Sequence, residues 1–273
     1  MPESYSTLAL LVLSSLAAGV VNALAGGGTL LTFPSLVAAL RLTVGDASAL
    51  AEVYANGTST AALLPGSVAG GWGYRRELAA VGRWPLLLVV PSLVGGLIGT
   101  LLVTRLPPEY FKIAVPWLTL SATLLFALQP TLVKLSLRFR PAGPPDPNQR
   151  SAASYASLVI GQFLIAVYGG YFGAGIGILM LSALGLMGLG DIHQMNAVKT
   201  VLAACINALS VVVFVCEGFV VWRLAGLMAT AAVVGGFLGA HYGRRLPRLL
   251  VRWTVIVIGF GLAAKFFYEQ FGA

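Results

Sequence analysis

Charge is what this sequence has least of. Only 10% of its 273 residues are charged, where a soluble domain carries about 25%, and the mean hydropathy is +0.89. A soluble globular domain is excluded. Histidine and cysteine are also scarce, two of each. Cys205 and Cys216 share one expected helix, about 16 Å apart along its axis, and cannot bridge within the chain. No Cys/His cluster has metal-ligand spacing, and neither a phosphate-cradling G-x-x-x-x-G-K-[ST] loop nor a G-x-S-x-G nucleophile turn occurs. We therefore expect no metal, no cofactor and no enzyme activity, and any pumping must draw on an ion gradient or on the substrate's own. Strict apolar/polar alternation is missing, which argues against a membrane β-barrel. Acidic residues number nine against 17 Lys and Arg, a net charge of +8. The basic residues cluster in short loops, such as "RRE" at 75–77 and "GRRLPRLLVR" at 243–252. Such loops face anionic headgroups on the cytoplasmic side, so the partner is a lipid bilayer and not nucleic acid. Met1–Ser6 has no basic n-region and the first apolar segment runs long, so no cleavable signal is expected.

What the chain has in abundance is long apolar runs, punctuated by glycine. Several reach the ~18 residues that a bilayer core demands, giving an all-α polytopic membrane protein. A repeat stands at an offset of 140: "VGGLIGTLLVTRLP" (94–107) lies over "VGGFLGAHYGRRLP" (234–247). The same register matches Asn56 to Asn196 and Thr60 to Thr200, and a shift of seven brings Gly26 and Gly28 onto Gly173 and Gly175. Between the halves, "RFRPAGPPDPNQR" (138–150) is proline-rich and polar and reads as an exposed cytoplasmic connector. The expected organisation is a first transmembrane repeat over 1–137, this linker over 138–150 and a second repeat over 151–273. Each repeat has five helical segments, near 7–24, 29–40, 47–72, 84–103 and 110–130, and near 152–170, 176–187, 190–216, 222–242 and 250–269. A glycine break separates the first two of each set.

A twelve-residue arm spans only about 18 Å, short of the ~30 Å hydrocarbon core. It either continues the first helix past a break or returns as a re-entrant hairpin. If it returns, the halves are inverted. Arg75, Arg76, Arg83, Lys134, Arg138, Arg140, Arg150, Arg244, Arg245, Arg248 and Arg252 then share one side, leaving five of the 17 basic residues opposite and Lys199 within the membrane. That bias favours the inverted arrangement with both termini outside. Helices interrupted in this way, with binding near the midplane, are a common build of secondary transporters.

The segments "AGGGTLLTFPSL", "ANGTSTAALLPGS…WGYRREL", "NAVKTVLAACINALSVVVF" and the paired "VGG…G…RLP" blocks together resemble the TauE/SafE-type sulfite exporter family over nearly the whole chain. The resemblance implies a secondary transporter of small sulfur-containing anions, such as sulfite or an organosulfonate, in the bacterial inner membrane. A passive anion channel of the same architecture is the alternative, and the oligomeric state stays open.

A small anion in low dielectric needs hydrogen-bond donors and compensating positive charge. The helix starts after Gly26, Gly27 and Gly28 and after Gly173 and Gly175 offer unpaired N–H groups and a positive dipole end, with Thr29 adding a hydroxyl. Lys199 is an intramembrane cation, and such residues are functional by default. It shares one helix face with Asn196 and Thr200; the repeat partner carries Glu52, Asn56 and Ser59 on the corresponding face. Substrate contacts are thus expected from the glycines, Thr29, Asn56, Ser59, Asn196, Lys199 and Thr200, converging on one anion. Glu52 and His193 are the candidate proton relays, with a Glu52–Lys199 pair and a helix-capping role for His193 as the structural alternatives.

Overall fold

The computed structural model describes residues 5–24, 27–44, 49–82, 84–138, 152–186, 192–242 and 248–272. Eleven helices are present among the described residues, and no strand. The first half holds α1 (Tyr5–Leu24), α2 (Thr29–Val44), α3 (Leu50–Gly73), α4 (Arg75–Ala80), α5 (Trp84–Arg105) and α6 (Pro108–Arg138). The second holds α7 (Ala152–Tyr171), α8 (Ile176–Leu186), α9 (Ile192–Cys216), α10 (Trp222–Tyr242) and α11 (Arg248–Phe271). Five of them (α1, α5, α6, α9 and α11) are long and apolar enough to cross a bilayer. The chain is a multi-pass helical membrane protein. Beyond Arg138, which closes α6, the expected linker lies outside the described residues.

Ten of these helices fall where apolar length and glycine punctuation place them. Two details differ. A six-residue helix, α4, lies between α3 and α5, where Trp72 stacks under the Arg75 guanidinium. And α2 runs to Val44, sixteen residues and not twelve. Its internal Pro34 falls in the second turn, close enough to the helix start that little hydrogen bonding is lost.

The arms return. Ser14 on α1 and Ser35 on α2 share a hydroxyl hydrogen bond of 2.8 Å, and Gly28 packs on the Ala18 backbone. In the second half Tyr168 donates its hydroxyl hydrogen to the Ala174 carbonyl at 2.7 Å, while α8 packs back against α7. Glycine makes that turn possible: Gly173 and Gly175 sit at φ +77° and +78°, the left-handed region where a Cβ costs roughly 1–2 kcal/mol.

Exchanging the halves reproduces the packing pattern. α5 packs most extensively on α7, and its counterpart α10 packs in the same way on α1. Both contacts depend on glycine. A Cβ on Gly99 would strike the Val167 carbonyl, and one on Gly235 the Leu16 carbonyl, so backbones approach as small residues in membranes allow. Equivalent helices of the two halves meet antiparallel. Gly57 of α3 lies against Phe214 of α9, and Gly71 against Val201. On α6 and α11, Trp117 meets Phe267 edge-on at 4.8 Å, and Thr123 lies at Gly259.

Candidate functional site

The hairpin tips are built around α6. Gly27 lies against the Phe126 ring and Gly175 against Ala122, one turn apart on the same face of α6. Both α2 and α8 begin at these tips, so their first N–H groups lack helical partners. Among the described residues no protein acceptor meets the N–H of Gly28 or Thr29, nor that of Gly175 or Gly177. Gly26 lies outside the described residues.

The polar residues fall into two sets. In the first, the Asn56 side-chain amide of α3 donates to the Tyr171 carbonyl at 3.0 Å. It thereby fastens the first half to the last residue of α7, before the second glycine break. Ser59, fully buried, shares a 2.6 Å hydroxyl hydrogen bond with Thr32 of α2. One turn before Asn56, Glu52 is wholly buried and paired with Arg41 at 2.5 Å. The same guanidinium reaches Glu269 of α11. Arg41, Glu52 and Glu269 line a cavity of about 270 Å³ with Lys112, Phe266 and Gln270. Phe266 is the aromatic part of its lining and packs tilted against Phe33, which stands edge-on to Phe172 and to Phe111.

The second set lies on α9. Lys199 donates to Asn196 Oδ1 at 3.1 Å, and the Thr200 hydroxyl donates to the Asn196 carbonyl at 2.7 Å. Thr60 bonds the Asn56 carbonyl in the same way at 2.8 Å, as the 140-residue offset requires. Met195, Val198 and Leu202 are fully buried, yet Lys199 between them keeps accessible surface. It meets no carboxylate among the described residues. His193 is exposed near the start of the helix.

The two sets are not one cluster. Since α3 and α9 run antiparallel with Gly57 at Phe214 and Gly71 at Val201, Lys199 lies level with the C-terminal end of α3. Asn56 is roughly seventeen residues away along that pair, on the order of 25 Å. The expected convergence of Asn56, Ser59, Asn196 and Lys199 on a single anion is therefore corrected: one small ion cannot touch both sets at once. The antiparallel register puts the two stripes near opposite ends of the helix pair. The alternative Glu52–Lys199 pair is replaced by Glu52–Arg41, for the same reason.

Sequence reasoning missed Arg41, Lys112, Glu269 and the aromatic cluster around Phe33. Arg41 carried the available signal, a lone cation ending an apolar arm eleven residues before Glu52.

Comparison with known proteins agrees with this architecture. The family model described as "Sulfite exporter TauE/SafE" matches residues 11–266. A "Probable membrane transporter protein" of Haemophilus influenzae is 28% identical over 264 residues, covering 96% of this chain and 95% of its own. "Probable membrane transporter protein YfcA" of Escherichia coli is 27% identical, with 97% and 91% covered. "Probable membrane transporter protein ORF9" of a Sinorhizobium species is 25% identical, with 96% and 93% covered. No solved structure gives a significant match. With two hairpin-bearing halves, a cation on a membrane helix that meets no carboxylate among the described residues and a family match over residues 11–266, the chain belongs to the TauE/SafE sulfite exporter family of membrane transporters.

Proposed function

We propose that this protein is a secondary transporter of a small sulfur-containing anion, sulfite or an organosulfonate, in a bacterial inner membrane. The observation that carries the reading is Lys199. A half-buried ammonium on a membrane helix whose partner among the described residues is a neutral amide oxygen has a charge left to give, and an anion that has shed water is the partner that balances it. The hairpin N–H groups at Gly28 and Thr29 and at Gly175 and Gly177 supply neutral donors for the oxygens the anion takes from water.

The two polar sets act as successive stations, reached in turn as one repeat rocks against the other. The antiparallel meetings of α3 with α9 and of α6 with α11 support inverted repeats, which are related by a pseudo-two-fold axis in the membrane plane and can exchange conformations. Glu52 and His193 serve as proton relays in this scheme, each near the end of its stripe. Unchanged pH–flux profiles in both Glu52→Gln and His193→Ala remove them from it.

The reading is tested by flux into proteoliposomes of labelled sulfite, taurine, thiosulfate and sulfoacetate under imposed pH gradients. Saturable uptake that responds to the pH gradient is expected. Flux that follows only the anion's own gradient identifies the passive channel, and binding without flux contradicts both.

A further inference from the structure

The cavity beside Arg41 is not used by the Lys199 station, and its chemistry is incomplete as it stands. Arg41 and Lys112 bring two positive charges to it, against two from Glu52 and Glu269, and Glu269 is also held by Lys265 at 3.4 Å. Both carboxylates are already engaged: Glu269 bonds Arg41 and Lys265, and Glu52 bonds Arg41 through Oε1. What is left over is mostly donor. Arg41 Nε is buried without a partner, and neither Lys112 Nζ nor the Gln270 amide meets an acceptor among the described residues. A single acceptor, Glu52 Oε2, is also buried and unpartnered. Unpaired buried polar atoms of this kind cost about 1–3 kcal/mol each, and water or a ligand normally satisfies them.

We propose that this cavity is a docking subsite for the transported oxyanion at the end of the protein opposite Lys199, with Arg41 Nε, Lys112 and Gln270 as its donors. The inference rests on the transporter reading for the identity of the ligand. The cavity of about 270 Å³ holds the share of roughly nine water molecules, enough for a one- or two-carbon sulfonate with its waters. Glu52 Oε2 takes a hydrogen from the anion's hydration or from a donor group the anion carries. Phe266 is the aromatic part of the lining and packs on Phe33, which in turn meets Phe172 next to the second glycine break. Arg41 also ties α2 and α3 of the first half to α11 of the second. An anion on its Nε edge competes with both carboxylates for the guanidinium and loosens that tie between the halves.

Calorimetric titration of the nanodisc-reconstituted protein with sulfite and with ethanesulfonate, paired with proteoliposome uptake, tests the subsite. Lys112→Gln removes one donor charge from a half-buried position and leaves the Arg41 pairs intact. Binding about tenfold weaker is expected, together with a higher half-saturating concentration and an unchanged maximal rate. In Lys199→Ala, uptake is lost while Lys112-dependent binding persists. Wild-type affinity in Lys112→Gln overturns the subsite while leaving the transporter reading intact, and so does loss of all binding in Lys199→Ala. Lys112-dependent binding without uptake in wild type keeps the subsite and refutes the transporter. No binding of either anion to wild type refutes the subsite outright.

Discussion

Lys199 has no counterpart in the first half. The 140-residue offset places Ser59 at its position, and there a hydroxyl bonds Thr32, so the two halves share a backbone plan but differ in charge. Other residues test the frame that holds the tips. Asn56→Ala leaves the Tyr171 carbonyl without its 3.0 Å donor, an expected loss of about 1–3 kcal/mol. Thermal unfolding in detergent should register it as a lowered midpoint. Gly173→Ala forces a Cβ into φ +77° and should lower stability by roughly 1–2 kcal/mol. Gly226→Ala, at ordinary φ and with open space around its Cβ, is the control and should not. Equal midpoints for the two glycine variants would mean that the break is not held in the left-handed conformation.

At the scale of elements, most of the helix plan was legible, because apolar length and glycine punctuation are local properties. Residues 84–105 and 192–216 show this best: one is an apolar run closed by Arg-Leu-Pro, the other a polar stripe on a long apolar rod. The short α4 was not legible, since six residues with two arginines carry no usable periodicity. Nor was the second set's distance from the first. That depends on the register in which α3 meets α9, which is fixed by Gly57 at Phe214 and by the Thr58 hydroxyl accepting from the Val221 N–H at 3.0 Å, neither of them visible in the spacing of the stripes. The Arg41 bridge was hidden likewise, because Glu269 is contributed by the far end of the chain. Glycine contacts between elements make a sharp prediction. Gly170→Leu, whose Cβ would meet the Gly96 backbone, must separate α5 from α7. Size-exclusion profiles should show aggregation or loss of folded protein, whereas Gly161→Leu, in open space, elutes as wild type.

At the scale of the whole molecule, the halves are bound by reciprocal pairs, α5 with α7 and α1 with α10, around antiparallel partners at the centre. The proposed alternating exposure of an ion would use this arrangement by closing in turn toward each end. It also predicts sidedness. In a background with Cys205 and Cys216 replaced, an impermeant maleimide should label Arg75→Cys only from the cytoplasmic side and Arg105→Cys only from the opposite side. Labelling of both from one side would refute the inverted topology.

The proposed transport stands on an anion giving up water to meet the Lys199 ammonium, level with the C-terminal end of α3. Exchange of labelled sulfite between the two sides of proteoliposomes, compared for wild type, Lys199→Arg and Lys199→Ala, tests this directly. Exchange should be saturable in wild type, retained in part by Lys199→Arg and reduced about a hundredfold or more by Lys199→Ala, since the missing charge is worth roughly 3 kcal/mol. Undiminished exchange by Lys199→Ala, with correctly folded protein, would contradict it.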